Sequence, residues 1–485
     1  MIDYVGSVEN AARVVASLHH GEKRLVFCES RKTAEALTYA LRERGVETFV
    51  SHSSLSKDER LKSEQAFAES SNTVIVATST LELGVDIGDL DRVIQLDAPR
   101  TVSSFLQRLG RTGRRSGTRR NTLFLATNLA SLVQTVALVR LWKSGFVEDV
   151  VPPPHPRHLA AQQLLALALQ EGWFDGDRWR SWWGDLPVMD DAAEVLEHLR
   201  AEGFLVEDSG RLMLGPAAEE AFGRRHFMDL LSSFIAAPEL RVLNGDTEVG
   251  FISPLALPRN TDDGSKSERE PVLVLAGRGW TIDHVDWDRF RVRVTEVPLR
   301  GKVRWPSGQI ALSYEMCQAR RDVFLGADPD VPCSRRVASA LERARDENEH
   351  AVSPRGMVLE RGSDSEEEDA TKPQRLWTWA GLNANATLAA VLGIPQSRPS
   401  NDSIVVPPDF TAAVLKTVTV PDDAAPDVPP EAVRALKFSE ALPIDLATLT
   451  LAQRMADPGH AEVTRVKPVV SRSRHARLPE TGITP

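Results

Sequence analysis

Over the first 145 residues, short apolar runs rich in β-branched side chains alternate with stretches whose apolar positions follow a helical period. The runs 25–28, 48–51, 73–78, 92–96 and 122–126 predict strands; 31–44, 57–68 and 101–109 predict helices. Strands separated by helices make a parallel sheet covered on both faces, with ligand sites beyond the carboxyl ends of the strands. Glu29-Ser30-Arg31, Ser79 to Asp86 and Gln107 to Arg114 all fall at such ends.

The pattern changes at Val151-Pro-Pro-Pro-His-Pro156, a stiff connector that cannot continue a helix. Beyond it come an apolar helical pattern over 159–169, an aromatic segment over 173–183 and a second helix over 192–201. Two short runs, 204–206 and 211–214, then flank Asp208-Ser-Gly210. Helices followed by a tight hairpin predict a winged-helix domain over 146–225, with Trp179, Trp182 and Trp183 in its core. From 226 to 465, short strands such as 272–276, 280–285 and 290–297 predict a mixed, β-rich α+β domain. The polar stretch 353–372 reads as a disordered insertion, 421–430 as a loop and 466–485 as a flexible tail. The expected whole is a multidomain α/β chain: a parallel sheet over 1–145 with helices on both faces, then the winged helix, then the distal domain.

Length agrees, since 485 residues exceed a single core and suggest roughly three domains. The net charge of −10 argues against a uniformly basic coat for nucleic acid, yet it hides a segregation. Arg100 to Arg120 holds seven arginines and no acid, whereas Asp364 to Asp369 is almost all acid. Three dispersed cysteines, Cys28, Cys317 and Cys333, support neither a disulfide framework nor a zinc ribbon. A cytoplasmic location is expected. No apolar run approaches the roughly 18 residues of a membrane span.

Chemistry concentrates in Gln107-Arg-Leu-Gly-Arg-Thr-Gly-Arg114, where guanidinium groups flank two glycines directly after an amphipathic run. Planar guanidinium forks match phosphate oxygens, and an arginine stabilising a transferring phosphoryl group is worth about 10³ to 10⁵ in rate. A second basic track runs through Arg289, Arg291 and Arg293, which alternate with Phe290, Val292 and Val294, and continues to Arg300, Lys302 and Arg304 beside Trp305. An aromatic ring among arginines suits single-stranded nucleic acid, by stacking a base while the arginines hold phosphates. Trp305 is the leading stacking candidate, with Trp280 and Trp287 behind it. No Gly-x-x-x-x-Gly-Lys-Ser/Thr loop occurs, and Asp346-Glu-Asn-Glu-His350 lies in a run of alternating charge that reads as a solvated helix face rather than a magnesium-binding box. No metal site is expected in the chain itself.

The stretches 25–31, 76–87 and 107–114 resemble motifs IV, V and VI of the second RecA-like domain of superfamily 2 helicases. The resemblance implies that Arg111 and Arg114 are arginine fingers and that Asp86 touches the ribose. It places Gly84 and Gln107 at the ATP site, with Ser30, Arg31 and Thr78 on the phosphates of the bound strand. Phe222 to Asp229, Ala276 to Trp280 with His284-Val-Asp286, Trp379 to Asn385 and Leu436 to Glu440 are similar to Lhr-type (large helicase-related) helicases. That kinship implies ATP-dependent translocation on single-stranded DNA or an RNA:DNA hybrid, in nucleic-acid repair. ATP and Mg²⁺ would be bound mainly by a first RecA-like domain carried on a partner protein or segment and expected to be missing here, and this chain alone is expected to be inactive. The alternative is a non-catalytic nucleic-acid-binding protein or partner subunit without its own ATPase site. Paired carboxylates or a histidine cluster that would support a nuclease or glycosylase site are not evident.

Overall fold

A computed structural model describes residues 1–18, 21–51, 73–82, 90–113, 120–223, 227, 230, 239–257, 272–275, 278–297, 310–361, 373–394 and 399–473. The chain forms two compact units, each discontinuous in sequence. One comprises 1–150, 312–381 and the chain from Lys467 onward; the other comprises 151–311 and 382–466.

The first unit is built on six parallel strands: β1 (Ile2–Tyr4), β2 (Arg24–Cys28), β3 (Thr48–Ser51), β4 (Val74–Ala77), β5 (Arg92–Leu96) and β6 (Thr122–Ala126). Their order is β1-β6-β5-β2-β4-β3. Strands buried on both faces lack polar alternation, and every residue of β2 and β4 is buried. The pleat divides them: Val26, Cys28, Val74 and Val76 pack under helices α1 (Val8–Ser17) and α2 (Arg31–Arg42). On the other face, Phe124 and Ala126 pack with α3 (Val102–Leu109) and α4 (Leu129–Lys143). The expected strands are therefore present, while β1 and α1 were not legible and 57–68 lies outside the described residues.

Two helices from later in the chain, Tyr314–Phe324 and Arg335–Asn348, share an apolar cluster with α4. Asp346 sits exposed near the end of the second, as expected of a solvated face, and His350 meets Trp377 edge-on at 5.6 Å. Two expectations need correction. Met357–Arg361, read as part of a disordered insertion, is a strand with four buried residues. Val469–Ser473, read as flexible tail, is a strand pairing with it in parallel, from Met357 beside Val469 to Arg361 beside Ser473. Neither strand can be stable alone, and the partners lie more than a hundred residues apart in sequence.

In the second unit, helices Arg157–Glu171 and Ala192–Ala201 pack with a three-stranded antiparallel sheet. Its hairpin joins Leu205–Asp208 to Arg211–Leu214 through Ser209 and Gly210, both at positive φ, as a two-residue primed turn requires. Trp179 is core, but Trp182 is 48% exposed, which corrects its assignment to the core. A five-stranded sheet follows, in the order Thr247–Ile252, Leu240–Asn244, Arg291–Val297, Arg278–Asp286, Val272–Leu275. Val292 and Val294 face its core while Arg293 is exposed, the alternation read from the sequence. Trp280 is buried in that core and Trp287 packs against it, edge-on to Phe290 at 6.3 Å. Trp280 is thereby removed as a stacking platform.

Candidate functional site

The sheet delivers its chemistry at the carboxyl ends of β2 and β4 and at the end of α3. Helix α3 begins at Thr101, whose hydroxyl oxygen accepts from the Ser104 amide at 3.1 Å. The Glu148 carboxylate accepts from the Val102 and Ser103 amides at 2.7 and 2.9 Å. A carboxylate at a helix N-terminus satisfies orphan donors and complements the helix dipole. Val102, Phe105 and Leu109 turn inward, and so does Arg108.

Arg108 is the centre of the site. Its side chain is 4% exposed, a position where a charge must be paired and hydrogen-bonded to persist. Nε and Nη2 donate to Glu82 Oε1 at 2.8 and 2.6 Å, and Nη1 donates to Glu29 Oε1 at 2.7 Å and to Gln95 Oε1 at 2.8 Å. The guanidinium also lies 5.0 Å from the Phe27 ring centroid. Ser104 Oγ adds a third donor to Glu82 Oε1, at 3.0 Å. One guanidinium thus ties the loop after β2, the loop after β4, strand β5 and helix α3 to a single point.

Three residues further on, Arg111 is 8% exposed, and its Nε donates to the main-chain carbonyl of Glu82 at 3.1 Å, with Nη2 on the same oxygen. The stretch containing Glu82 and the stretch 107–114 are therefore joined twice through one residue. Thr112 Oγ1 accepts from the Asn121 amide at 3.1 Å, and Gly113 takes φ +70°, a left-handed backbone suited to glycine.

Ser30 caps α2, its hydroxyl accepting from the Thr33 amide at 3.0 Å, and half-buried Arg31 opens the helix. Thr78 precedes the turn Ser79–Leu81 without capping it through its side chain, and its amide donates to the Ser51 carbonyl at 3.2 Å. Gln107 is exposed. Gly84, Asp86, Arg114, Arg304 and Trp305 lie outside the described residues. Among the described residues, no three His, Cys, Asp or Glu side chains gather as a metal site, and no helix is long and apolar enough to cross a membrane.

Arg108, Glu82 and Glu29 lie inside stretches singled out from the sequence but were given no role there, and Gln95 was not singled out. The signal was present: a cation at position 108 falls on the apolar stripe of α3, and acids stand directly after β2 and shortly after β4. A charge on a buried stripe requires a partner of opposite sign.

Comparison with known proteins agrees with this fold. Residues 7–116 match the helicase conserved C-terminal domain. Over 152 residues the chain is 37% identical to the Lhr helicase/uracil glycosylase of Escherichia coli, covering 30% of this chain and 10% of that protein. Over 150 residues it is 35% identical to the ATP-dependent helicase Lhr-Core of Methanocaldococcus jannaschii, covering 31% and 18%. These alignments span less than a fifth of either relative. A solved structure of Mycobacterium smegmatis helicase Lhr, bound to ssDNA and AMP-PNP, superposes over 98% of this chain and 69% of that one, with a TM-score of 0.66 at 19% identity. The chain thus carries a helicase conserved C-terminal domain and resembles the distal part of Lhr-type superfamily 2 helicases in sequence and in fold.

Proposed function

We propose that this chain is the distal part of an ATP-dependent helicase or translocase that moves on single-stranded DNA or an RNA:DNA hybrid. Arg111 and Arg114 act as arginine fingers on a nucleotide whose β- and γ-phosphates are held by a first RecA-like domain, on another segment or a partner protein. Water attacks the γ-phosphorus, the β–γ bridging oxygen leaves, and the guanidinium groups offset the negative charge that develops. Gly84, Asp86 and Gln107 line the nucleotide side, while Ser30, Arg31 and Thr78 hold strand phosphates. Arg304 and Trp305 form a second strand contact. Mg²⁺ would be bound mainly by the first RecA-like domain and would supply charge compensation on the nucleotide there. Residues 146–225 serve as the winged-helix module, with helices Arg157–Glu171, Arg178–Trp183, Ala192–Ala201 and Pro216–Phe222 around a small sheet and hairpin.

The observation that carries this reading is the double link from Glu82 to Arg108 and Arg111 at the carboxyl edge of the parallel sheet. It supports the finger reading of Arg111, whose guanidinium it holds near the sheet edge that also carries Ser30, Arg31 and Thr78. Combining the chain with a segment that carries a Gly-x-x-x-x-Gly-Lys-Ser/Thr loop and an Asp-Glu-x-His box should produce hydrolysis stimulated by single-stranded DNA. If the mixture adds nothing to the segment's own rate while the chain still binds the strand, the non-catalytic binding alternative replaces it.

A further inference from the structure

We infer that Glu82 is a positioning residue that couples the strand-contacting rim of the domain to the finger Arg111, through the buried cation Arg108. The inference rests on the motor reading above and adds the connection between its two halves. Glu29 immediately precedes Ser30 and Arg31, and its carboxylate accepts from Arg108 Nη1 at 2.7 Å. The opposite side of the same guanidinium donates twice to Glu82 Oε1, at 2.6 and 2.8 Å. The Glu82 main-chain carbonyl in turn accepts from Arg111 Nε at 3.1 Å. A displacement of the 29–31 loop by a bound strand is therefore passed on by Arg108 to the Glu82 backbone that orients the finger.

Two features make the chain stiff. The guanidinium is planar and its donors have fixed angles, so moving one acceptor rotates the whole fork. Burial of Arg108 makes loss of its carboxylate partners unfavourable, most of all Glu82, whose side chain is 13% exposed against 31% for Glu29, so the acceptors move with it. Ser104 Oγ at 3.0 Å holds Glu82 from the helix side as well.

The test uses the full chain combined with the segment that supplies the first domain, and reads ATP hydrolysis with and without single-stranded DNA. In Glu82→Ala, kcat in the presence of DNA should fall about 10- to 100-fold, the scale of a finger misplaced by about an ångström. KM for ATP and the affinity for the strand should each stay within about threefold. Glu82→Gln keeps one acceptor oxygen and the side-chain shape, so it should recover part of the stimulation and guards against loss of folding in the alanine variant. Unchanged DNA stimulation in folded Glu82→Gln and Glu82→Ala overturns the coupling, as does a parallel loss of kcat and strand affinity. Arg111→Ala run alongside separates the two readings: if it retains full hydrolysis the finger assignment fails, whatever Glu82 does.

Discussion

A single side chain, Arg108, decides the local architecture of the site. Replacing it with leucine would leave Glu29 and Glu82 facing each other without their cation, and breaking a buried ion pair from one side costs about 3 to 5 kcal/mol. Arg108→Leu should therefore lower the urea midpoint of the full chain markedly, whereas Arg31→Leu, on the half-buried rim, should shift it little. A second buried group, His158, titrates in a useful range. Burial, with the cation of Arg454 nearby, pushes its imidazole down to about 4. The unfolded chain takes up that proton near pH 6.5. Its contribution is thus complete above about pH 6.5 and is lost as pH falls towards 4, at most about 3 to 4 kcal/mol. Thermal melts between pH 7 and 4 should show a declining Tm, and His158→Leu should flatten the decline. Arg111 was singled out because a short motif contains it, whereas Arg108, inside the same motif, was given no role although its place on an apolar stripe marks it as a buried cation.

At the scale of elements, α3 matters most because it carries the 107–114 stretch. Its first turn relies on Glu148, a residue beyond the end of α4, so Glu148→Ala should remove two hydrogen bonds and about 1 to 2 kcal/mol from the helix start. Faster hydrogen exchange at the Val102 and Ser103 amides would report it. The pairing of Met357–Arg361 with Val469–Ser473 has its own sensitive point at Gly356. A Cβ there would lie 2.2 Å from the Pro468 carbonyl oxygen, and the backbone sits at φ +147°. Gly356→Ala should displace the last strand and open it to proteolysis near 468–473. Strands β2 and β4 could be read from sequence because burial on both faces makes them nearly continuous apolar runs, and β5 and β6 because most of their residues are buried. Val-Val-Ser-Arg-Ser, at 469–473, has no such run, and its order comes from a neighbour remote in the chain. Local periodicity carries no trace of that pairing.

At the scale of the molecule, contiguous stretches of sequence are not the units of folding. Helices 314–324 and 335–348 complete the core beneath α4, and Asp3 of β1 accepts from Arg336 at 2.5 Å. The RecA-like unit therefore depends on residues more than three hundred positions later, so truncation after residue 145 should expose Val136, Ala137 and Val139 and yield an aggregating fragment, as light scattering would detect. The role of Arg111 is read out by single-turnover ATP hydrolysis with single-stranded DNA present, using the chain joined to a segment that carries a Gly-x-x-x-x-Gly-Lys-Ser/Thr loop and an Asp-Glu-x-His box. Arg111→Ala should slow the chemical step by about 10³-fold or more while ATP still binds; a rate within threefold of the unsubstituted chain would show that Arg111 is not a finger.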